Sequence, residues 1–378
     1  MEEVYIIGGD HHNTLGVIRS LGSEGVLSNV ILVSAKKKTY VGFSKYIKNL
    51  TIVPSDEAAV KMLLNQKEKH QHAVVIACSD GAASEVDRNR DSLSDVYALP
   101  GCQQQGALTV MMDKSKMTEL AEKTGFITPK SWIVERGESH DHIEFPCIIK
   151  PILSKDGSKS DIKICSSHEE LRKAIMGGSC NKYQIQKFID KDFEYQLIGL
   201  SLDNGETVII PGVSRCIRPC PGTNTGFLHY ENLDAVGVPL DSCKKFVKAV
   251  GYSGLFSIEL LRGKDGKDYF MEMNFRNDGN SICVTKSGFN LPYFWYLANT
   301  GEDYQEKLAK STLTPIYVMP EFDDFRCFAL TRKIKLVQWL ADVRRTDAFM
   351  EFDRKDMGPF RALLKDVLLR GIKKVKKQ

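Results

Sequence analysis

The stretch 255–281, LFSIELLRGKDGKDYFMEMNFRNDGNS, constrains the fold of this chain more than any other. Two apolar runs flank Asp265-Gly266, a dipeptide that is typical of a β-hairpin turn. Side chains alternate along a strand, so one face of the second run carries three polar residues: Glu272, Asn274 and Arg276. Glu259 reaches the same face from the neighbouring strand. The sequence therefore predicts two antiparallel strands with a polar cluster on one face.

The residue types in this cluster indicate a metal and a phosphate. Two carboxylates, an amide oxygen and a guanidinium are costly to bury together unless hard cations bind the oxygens. Mg²⁺ in proteins typically takes a few carboxylates together with substrate phosphates. The alternative is a hairpin whose polar face is simply in water.

The first hundred residues alternate between predicted strands and helices. Three short apolar runs suit buried parallel strands, at 4–9, 30–34 and 73–79. Helical patterns lie between and after them, near 14–24, 56–68 and 81–93. This order predicts a parallel sheet with a ligand site at the carboxyl ends of its strands.

The middle of the chain predicts two further lobes. Asp113-Lys114 opens a helix, CIIK ends a strand at Lys150, and the polar loop 154–160 has the composition of a lid over phosphates. From 193 onwards the pattern becomes antiparallel, with a hairpin turn at Asn204-Gly205.

These features, taken in order, resemble the ATP-grasp superfamily over roughly residues 109–281. Within it the chain is most similar to carboxylate–amine ligases of the D-aspartate ligase and carbamoyl-phosphate-synthase-like group. Residues 1–108 resemble the Rossmann-like domain that often precedes this fold. The resemblance implies an α/β and α+β protein, in which an N-terminal Rossmann-like parallel-sheet domain is followed by a two-lobed ATP-grasp fold.

The resemblance also implies a division of the chain into four parts. These are a Rossmann-like pre-ATP-grasp domain, a small lobe with the lid loop, a catalytic lobe with the metal site, and a C-terminal extension with a basic amphipathic tail: 1–108, 109–190, 191–305 and 306–378.

Nucleotide-binding residues follow from the resemblance position by position. Lys114 and Lys150 match lysines that bind ATP phosphates. Glu194 falls near an acidic position that often touches the ribose. The hinge whose backbone reads adenine corresponds to Gln186, Lys187, Phe188 and Ile189, and Gln186 replaces a glutamate that many relatives carry.

The catalytic and metal residues follow in the same way. Ligands of Mg²⁺ or Mn²⁺ are implied at Glu259, Glu272 and Asn274. Arg276 matches an arginine that steadies an acyl phosphate. The segment 214–227 is expected to be an acceptor-side loop whose arginines, Arg215 and Arg218, bind a substrate carboxylate; an irregular loop with exposed arginines is the alternative. The sequence NDGN at 277–280 departs from the relatives, which often carry a bulky aromatic residue there.

The implied activity is an ATP-dependent ligation. A carboxylate attacks the γ-phosphate of MgATP, and an amine then attacks the acyl phosphate to give an amide, with amino acids or cell-envelope glycan precursors as the expected substrate area. A kinase- or carboxylase-type member of the superfamily and a non-catalytic nucleotide-binding regulator remain as alternatives.

Composition and charge predict the cellular compartment of the protein and exclude some classes of partner. Ten scattered cysteines without a CxxC pair predict reduced thiols in the cytoplasm, and no apolar run is long enough to span a membrane. Seven basic residues and one acidic residue give 361–378 a net charge of +6, and the chain total of +4 leaves −2 for the rest. The body is therefore not expected to bind nucleic acid.

The tail from 360 to 378 leaves several hypotheses open. Its amphipathic and basic pattern suits peripheral docking at an anionic membrane on the cytoplasmic face. Packing of the tail on the body of the protein and a frayed basic end are the alternatives. A homodimer is left open too.

Overall fold

The computed structural model describes residues 2–138, 140–152, 161–221, 223 and 225–375, with side chains up to 369. The predicted lid loop 154–160 lies outside the described residues.

The N-terminal region is a five-stranded parallel sheet with strand order β3-β2-β1-β4-β5. Its strands are β1 Glu3–Gly9, β2 Ser28–Val33, β3 Ile47–Val53, β4 Ala73–Ala77 and β5 Tyr97–Ala98. Its helices are α1 His12–Ser23, α2 Asp56–Gln66, α3 Asp80–Arg88 and α4 Arg90–Leu93. The predicted parallel sheet is confirmed. Two further strands, β3 and β5, were not predicted.

A four-stranded antiparallel sheet follows, with strand order β6-β9-β7-β8. Two helices precede it, α5 Ala107–Met111 and α6 Lys114–Lys123. Its elements are β6 Ser131–Glu135, β7 Cys147–Pro151, β8 Lys163–Cys165, α7 His168–Gly177 and β9 Lys182–Lys187. The side chain of Asp113 accepts hydrogen bonds from the backbone N–H groups of Ser115 and Lys116, so it caps α6 and fixes Lys114 in the first turn.

The third sheet has eight strands in the order β15-β14-β10-β12-β13-β16-β17, with β11 paired to β10. Its first elements are β10 Lys191–Leu202, β11 Thr207–Ile209, β12 Val213–Pro219, β13 Gly226–Glu231, α8 Leu240–Val250, β14 Gly254–Gly263, β15 Asp268–Asn274, α9 Ile282–Lys286 and α10 Leu291–Thr300. Both predicted hairpins are present. Gly266 has a φ of +78° in the β14–β15 turn, a conformation that glycine adopts without strain.

The last part of the chain completes this sheet. Its elements are α11 Tyr304–Lys310, β16 Ile316–Met319, α12 Glu321–Asp324, a π-helical turn Phe325–Ala329, α13 Leu336–Arg345, β17 Ala348–Phe349 and α14 Met357–Val375. Strand β16 pairs antiparallel with β13, and β17 pairs parallel with β16. Strands on both sides of residue 305 therefore belong to one sheet. In the described part of the chain, no helix combines the length and apolar character needed to cross a membrane.

Arg19 ties this C-terminal part to α1. Its guanidinium is buried and donates to Asp356 Oδ2 at 3.1 Å, to the carbonyl of Asp356 at 3.0 Å, and to the carbonyls of Met350 and Glu351 at 3.1 and 2.9 Å. The N-terminal domain and the end of the chain thus share one buried polar junction.

The segment 214–227 corrects the sequence prediction. It is not an irregular loop over its length, because β12 and β13 pair antiparallel there. Arg218 donates to Asp324 Oδ2 at 2.9 Å and Oδ1 at 2.7 Å, and to Asp342 Oδ2 at 2.8 Å. Since both carboxylates are buried, Arg218 holds α12 and α13 against the sheet and is not available to a substrate carboxylate.

Candidate active site

The β14–β15 hairpin brings the two predicted metal-binding carboxylates together. Glu259 lies directly opposite Glu272 in the register, and Ser257 lies opposite Asn274. A β-bulge after the Glu259–Glu272 pair shifts the register, and the next pair is Leu260 with Phe270. The apolar side chains of Ile258, Leu260 and Met273 pack in the core on the opposite face.

Asn274 and Arg276 extend this face into a hydrogen-bonded cluster. Asn274 Nδ2 donates to Glu259 Oε1 at 3.1 Å, and Arg276 Nη2 donates to Asn274 Oδ1 at 3.0 Å. Arg276 Nε donates to Asp80 Oδ1 at 3.0 Å, and Nη1 donates to the carbonyl of Asn277 and to Asp278 Oδ2. Four of the five N–H groups of the guanidinium are thus engaged with described residues, and the remaining one is left for a ligand.

Two lysines from other elements face the same carboxylates. Lys114, in the first turn of α6, places Nζ 3.2 Å from Glu272 Oε2. Lys150, on β7 of the small sheet, donates to Gln186 Oε1 at 2.5 Å. Burial and the charge of Lys114 lower the pKa of Lys150 to about 8, against the opposing charges of Glu272 and Glu259. The cluster therefore lies where the small lobe meets the large one.

The electrostatics of the paired carboxylates fit a divalent cation. Burial raises the pKa of Glu259 to about 8, and the charges of Glu272 and Asp278 contribute. Burial also acts to raise the pKa of Glu272, but the ammonium groups of Lys114 and Lys150 outweigh it, so this pKa is lowered. A cation between the two groups would remove the like-charge penalty.

The donor set also suits magnesium rather than a softer metal. Within the residues that the structure describes, no three His, Cys, Asp or Glu side chains are placed to hold a metal by themselves. Two carboxylates and an amide oxygen, completed by substrate phosphates and water, match the preference of Mg²⁺.

We expect the binding of MgADP at pH 7 to release about one proton per site, because the raised pKa keeps Glu259 protonated until a cation displaces the proton. The release should disappear as the pH rises above 8, where the carboxyl is already ionised. Calorimetric titration in buffers of different ionisation enthalpy measures it. The Glu259→Gln variant serves as the control, and equal proton release from that variant would contradict the assignment.

The predicted adenine hinge lies at the end of β9. The N–H groups of Lys187 and Phe188 donate to the carbonyls of Lys130 and Pro146 at 2.8 and 2.9 Å. These two N–H groups of the hinge are therefore already engaged with the protein.

The side chains of the hinge and of Glu194 have other partners. Gln186 Nε2 donates to Ser131 Oγ at 3.2 Å while its oxygen accepts from Lys150, so Gln186 positions this lysine. Glu194 lies two residues before Gln196, on the same face as the carboxylate cluster, and pairs with Lys191 at 2.7 Å.

The structure does not bring Arg215 to this cluster. Arg215 lies opposite Tyr195, whereas Gln196 lies opposite Glu259. Neighbouring residues of a strand point to opposite faces, so Arg215 is on the far side of the sheet. Its Nε lies 3.6 Å from Glu231 Oε1. The register thus places Arg215 away from the Glu259–Glu272 pair, and its predicted binding of a substrate carboxylate stays a prediction.

Sequence reasoning missed the polar residues that surround the cluster. Gln196 Nε2 donates to Glu259 Oε1 at 3.3 Å, and Asn280 Nδ2 donates to Gln196 Oε1 at 2.6 Å. Ser257 Oγ donates to Asp278 Oδ2 at 2.9 Å. Strand alternation from Glu194 would have placed Gln196 on this face, and NDGN was noticed only as a departure from relatives.

No protein-family model matches the chain. A formate-dependent phosphoribosylglycinamide formyltransferase of Ignicoccus hospitalis is 27% identical over 232 residues, which are 54% of this chain and 55% of that protein. A D-aspartate ligase of Enterococcus faecium is 21% identical over 334 residues, which are 78% of this chain and 76% of that protein. The chain thus matches only about half the length of the first of these relatives.

The L-amino acid ligase of Bacillus licheniformis is a solved structure with a similar fold. It has a TM-score of 0.65 and 16% identity, and the match covers 83% of this chain and 78% of that one. At 16% identity, this structural similarity shows the fold alone. It confirms the predicted combination of a parallel-sheet domain with two further lobes.

Proposed function

We propose that this chain is a member of the ATP-grasp superfamily and an ATP-dependent ligase that joins a carboxylate to an amine through an acyl phosphate. The observation that carries the proposal is the Glu259–Glu272 pair with Lys114 and Lys150 arranged around it. This arrangement suits a triphosphate, because cations and lysines neutralise the charge of the transferring phosphoryl group.

Residues of both lobes would bind the nucleotide and its metal ion. Glu259, Glu272 and Asn274 would hold Mg²⁺ or Mn²⁺, which when bound would screen the negative charge of the phosphates. Lys114 and Lys150 would bind phosphate oxygens from either side, and the 186–189 hinge would hold the adenine. Glu194 would contact the ribose.

Arg276 would orient the reacting oxygens. Asp80, Asn274, Asn277 and Asp278 hold its guanidinium in place, so its remaining N–H can meet a developing charge without reorganising. The substrate carboxylate attacks the γ-phosphorus and displaces ADP. The neutral amine then attacks the acyl carbon, the C–O bond to phosphate breaks, and the nitrogen loses a proton. Positioning and electrostatics account for this chemistry without a protein nucleophile.

The relatives support a ligase more than the alternatives. D-aspartate ligase and L-amino acid ligase are both ligases by name. A kinase- or carboxylase-type activity and a non-catalytic regulator differ from a ligase in their products. We propose amino acids as the first class of acid and amine substrates to test.

The test is product analysis with the full chain. The enzyme is incubated with MgATP and pools of carboxylic acids and amines, phosphate release is followed, and mass spectrometry identifies the product. An amide formed together with ADP supports the ligase. A phosphorylated or carboxylated product, or no ADP with any pair, would overturn it.

Replacing Lys150 by alanine should raise the dissociation constant of MgADP about tenfold or more, because a charge-assisted contact with phosphate contributes roughly 1.5–3 kcal/mol. Calorimetry at pH 7, where the ammonium is charged, gives the value. Lys182→Ala provides the control, since Lys182 lies on the same sheet and pairs with Glu135 at the surface. Unchanged affinity in the Lys150 variant would remove the residue from the site.

The cellular setting forms the last part of the proposal. All ten cysteines are free thiols, which supports the cytoplasm as the place of action. A homodimer stays a prediction, for which sedimentation velocity is the measurement.

Membrane docking of the tail stays a prediction too. Helix α14 leaves Leu364, Val367 and Leu368 exposed, while Phe360 packs on Phe322. We expect the full chain to sediment with anionic liposomes more than a chain ending at 369, which lacks five basic residues but keeps the Phe360 contact. Neutral liposomes are the control. Equal sedimentation of the two chains would end the membrane hypothesis.

A further inference from the structure

A cavity of about 440 Å³ adjoins the candidate active site. The start of α2 and residues along the length of α3 give one part of its lining, and α5, the start of α6 and the end of β15 give the rest. Glu272, Asn274 and Lys114 line it, so the cavity continues from the residues that would hold the phosphates. Its volume is in the range of small-molecule sites.

The cavity carries more negative than positive charge. Asp56, Glu57, Asp80 and Glu85 line the side formed by α2 and α3. Asp80 is paired with Arg276, and Glu85 with Arg88. In the described part of the chain no lysine, arginine or histidine forms an ion pair with Asp56 or Glu57. These two carboxylates are available to a cationic ligand.

Asp56 is held in place by its surroundings. Ser79 Oγ donates to Asp56 Oδ1 at 3.2 Å, and a Cβ added at Gly81 would lie 2.2 Å from Asp56 Oδ2. Burial raises the pKa of Asp56, and the nearby charges of Glu85 and Asp80 add to this. The carboxylate is not needed as a helix cap, since Ser55 and Ser79 cap α2 and α3.

The part of the lining that comes from α5, α6 and β15 is mixed. Beside Lys114, Glu272 and Asn274 it includes the apolar residues Met112, Met117 and Phe275. A bare inorganic cation would gain nothing from these side chains, whereas an aliphatic chain would bury surface against them. A nucleotide triphosphate is disfavoured beside the acidic side, because its charge has the same sign.

We propose that this cavity binds the amine substrate and selects a compound with two cationic groups joined by an aliphatic chain, such as a diamine or a basic amino acid. One ammonium pairs with Asp56 and Glu57, the chain lies along the methionines, and the other amine reaches the Glu272–Asn274 end. This inference rests on the proposed ligase function. The reacting amine must first lose a proton. Its lone pair then forms the C–N bond, the C–O bond to phosphate breaks with its electrons going to phosphate, and a second proton is released.

The test compares 1,5-diaminopentane with 1-aminopentane, which has the same chain and one ammonium fewer. Calorimetric titration of each into the full chain is expected to give about tenfold or more tighter binding of the diamine, the size expected of a charge-assisted contact. Asp56→Asn should reduce that preference to about threefold or less. Glu68→Gln, the same change of charge at an exposed residue outside the cavity, should keep it.

The outcomes separate this inference from the proposed function. Equal binding of the two amines by the wild-type chain, no binding of either, or a preference unchanged in the Asp56 variant would overturn the inference. A structural effect of Asp56 would lower the melting temperature without altering the ratio of the two affinities, and that too would count against it. Diamine selection without ADP release for any acid would leave the cavity assignment standing and overturn the ligase. Amide formation with a preference for monoamines would support the ligase and overturn the cavity assignment.

Discussion

The Glu272→Gln variant should lose measurable ADP release, a loss of roughly a hundredfold or more, and should keep its fold. Glu272 faces Glu259 across the hairpin and receives Lys114 at 3.2 Å, so it sits at the centre of the proposed cation and phosphate site. A neutral amide keeps the shape and one oxygen. It removes the charge that would bind a cation most strongly.

The measurement is ADP release under saturating MgATP with the best substrate pair. Circular dichroism and the melting temperature check the fold. Glu119→Gln gives the matched control, because Glu119 lies on α6 near the site but pairs with Lys123 in solvent. ADP release at the wild-type rate from the Glu272 variant would remove this residue from the metal site.

Replacing Arg19 by methionine should lower the free energy of unfolding by about 3–5 kcal/mol, the usual cost of removing one partner of a buried ion pair. The change leaves Asp356 buried beside only Ser44 Oγ and the N–H of Lys45, and it leaves the carbonyls of Met350 and Glu351 without their donor. Methionine fills much of the same volume, so the loss reports the polar contacts and not a cavity.

Urea denaturation of the Arg19 variant gives the free energy. Lys48→Met is the control, since Lys48 forms an exposed pair with Glu3 whose loss should cost less than about 1 kcal/mol. If the two variants were equally stable, the junction between α1 and the C-terminal region would contribute nothing beyond a surface pair.

Local patterns predicted the elements that carry the candidate site. The Asp265-Gly266 turn and strand alternation predicted that Glu259 and Glu272 share a face, and the register pairs them. The cap at Asp113 and the apolar run before Lys150 likewise predicted where these lysines stand in α6 and β7. Such features depend on residues within a few positions of each other, so they can be predicted from a single sequence.

The features that the sequence did not predict depend on contacts between residues that are far apart in the chain. Strand β3 is half exposed at a sheet edge, so its sequence lacks a continuous apolar run. Nothing near Arg218 in sequence indicates that Asp324 and Asp342 will meet it. Arg215 was placed by the order of motifs, whereas its side is set by its pairing with Tyr195. The roles of Gln196 and Asn280 similarly arise only when β10 meets the segment after β15.

The Arg19–Asp356 junction has a consequence for synthesis on the ribosome, because its two residues are 337 positions apart. At about 5–20 residues per second, Arg19 waits roughly 20–70 s before its partner is made. During that interval the surface of the nascent first domain lacks its final covering. We expect chains that stop before Asp356 to be bound by chaperones or degraded, even when every residue of the β14–β15 hairpin has been made.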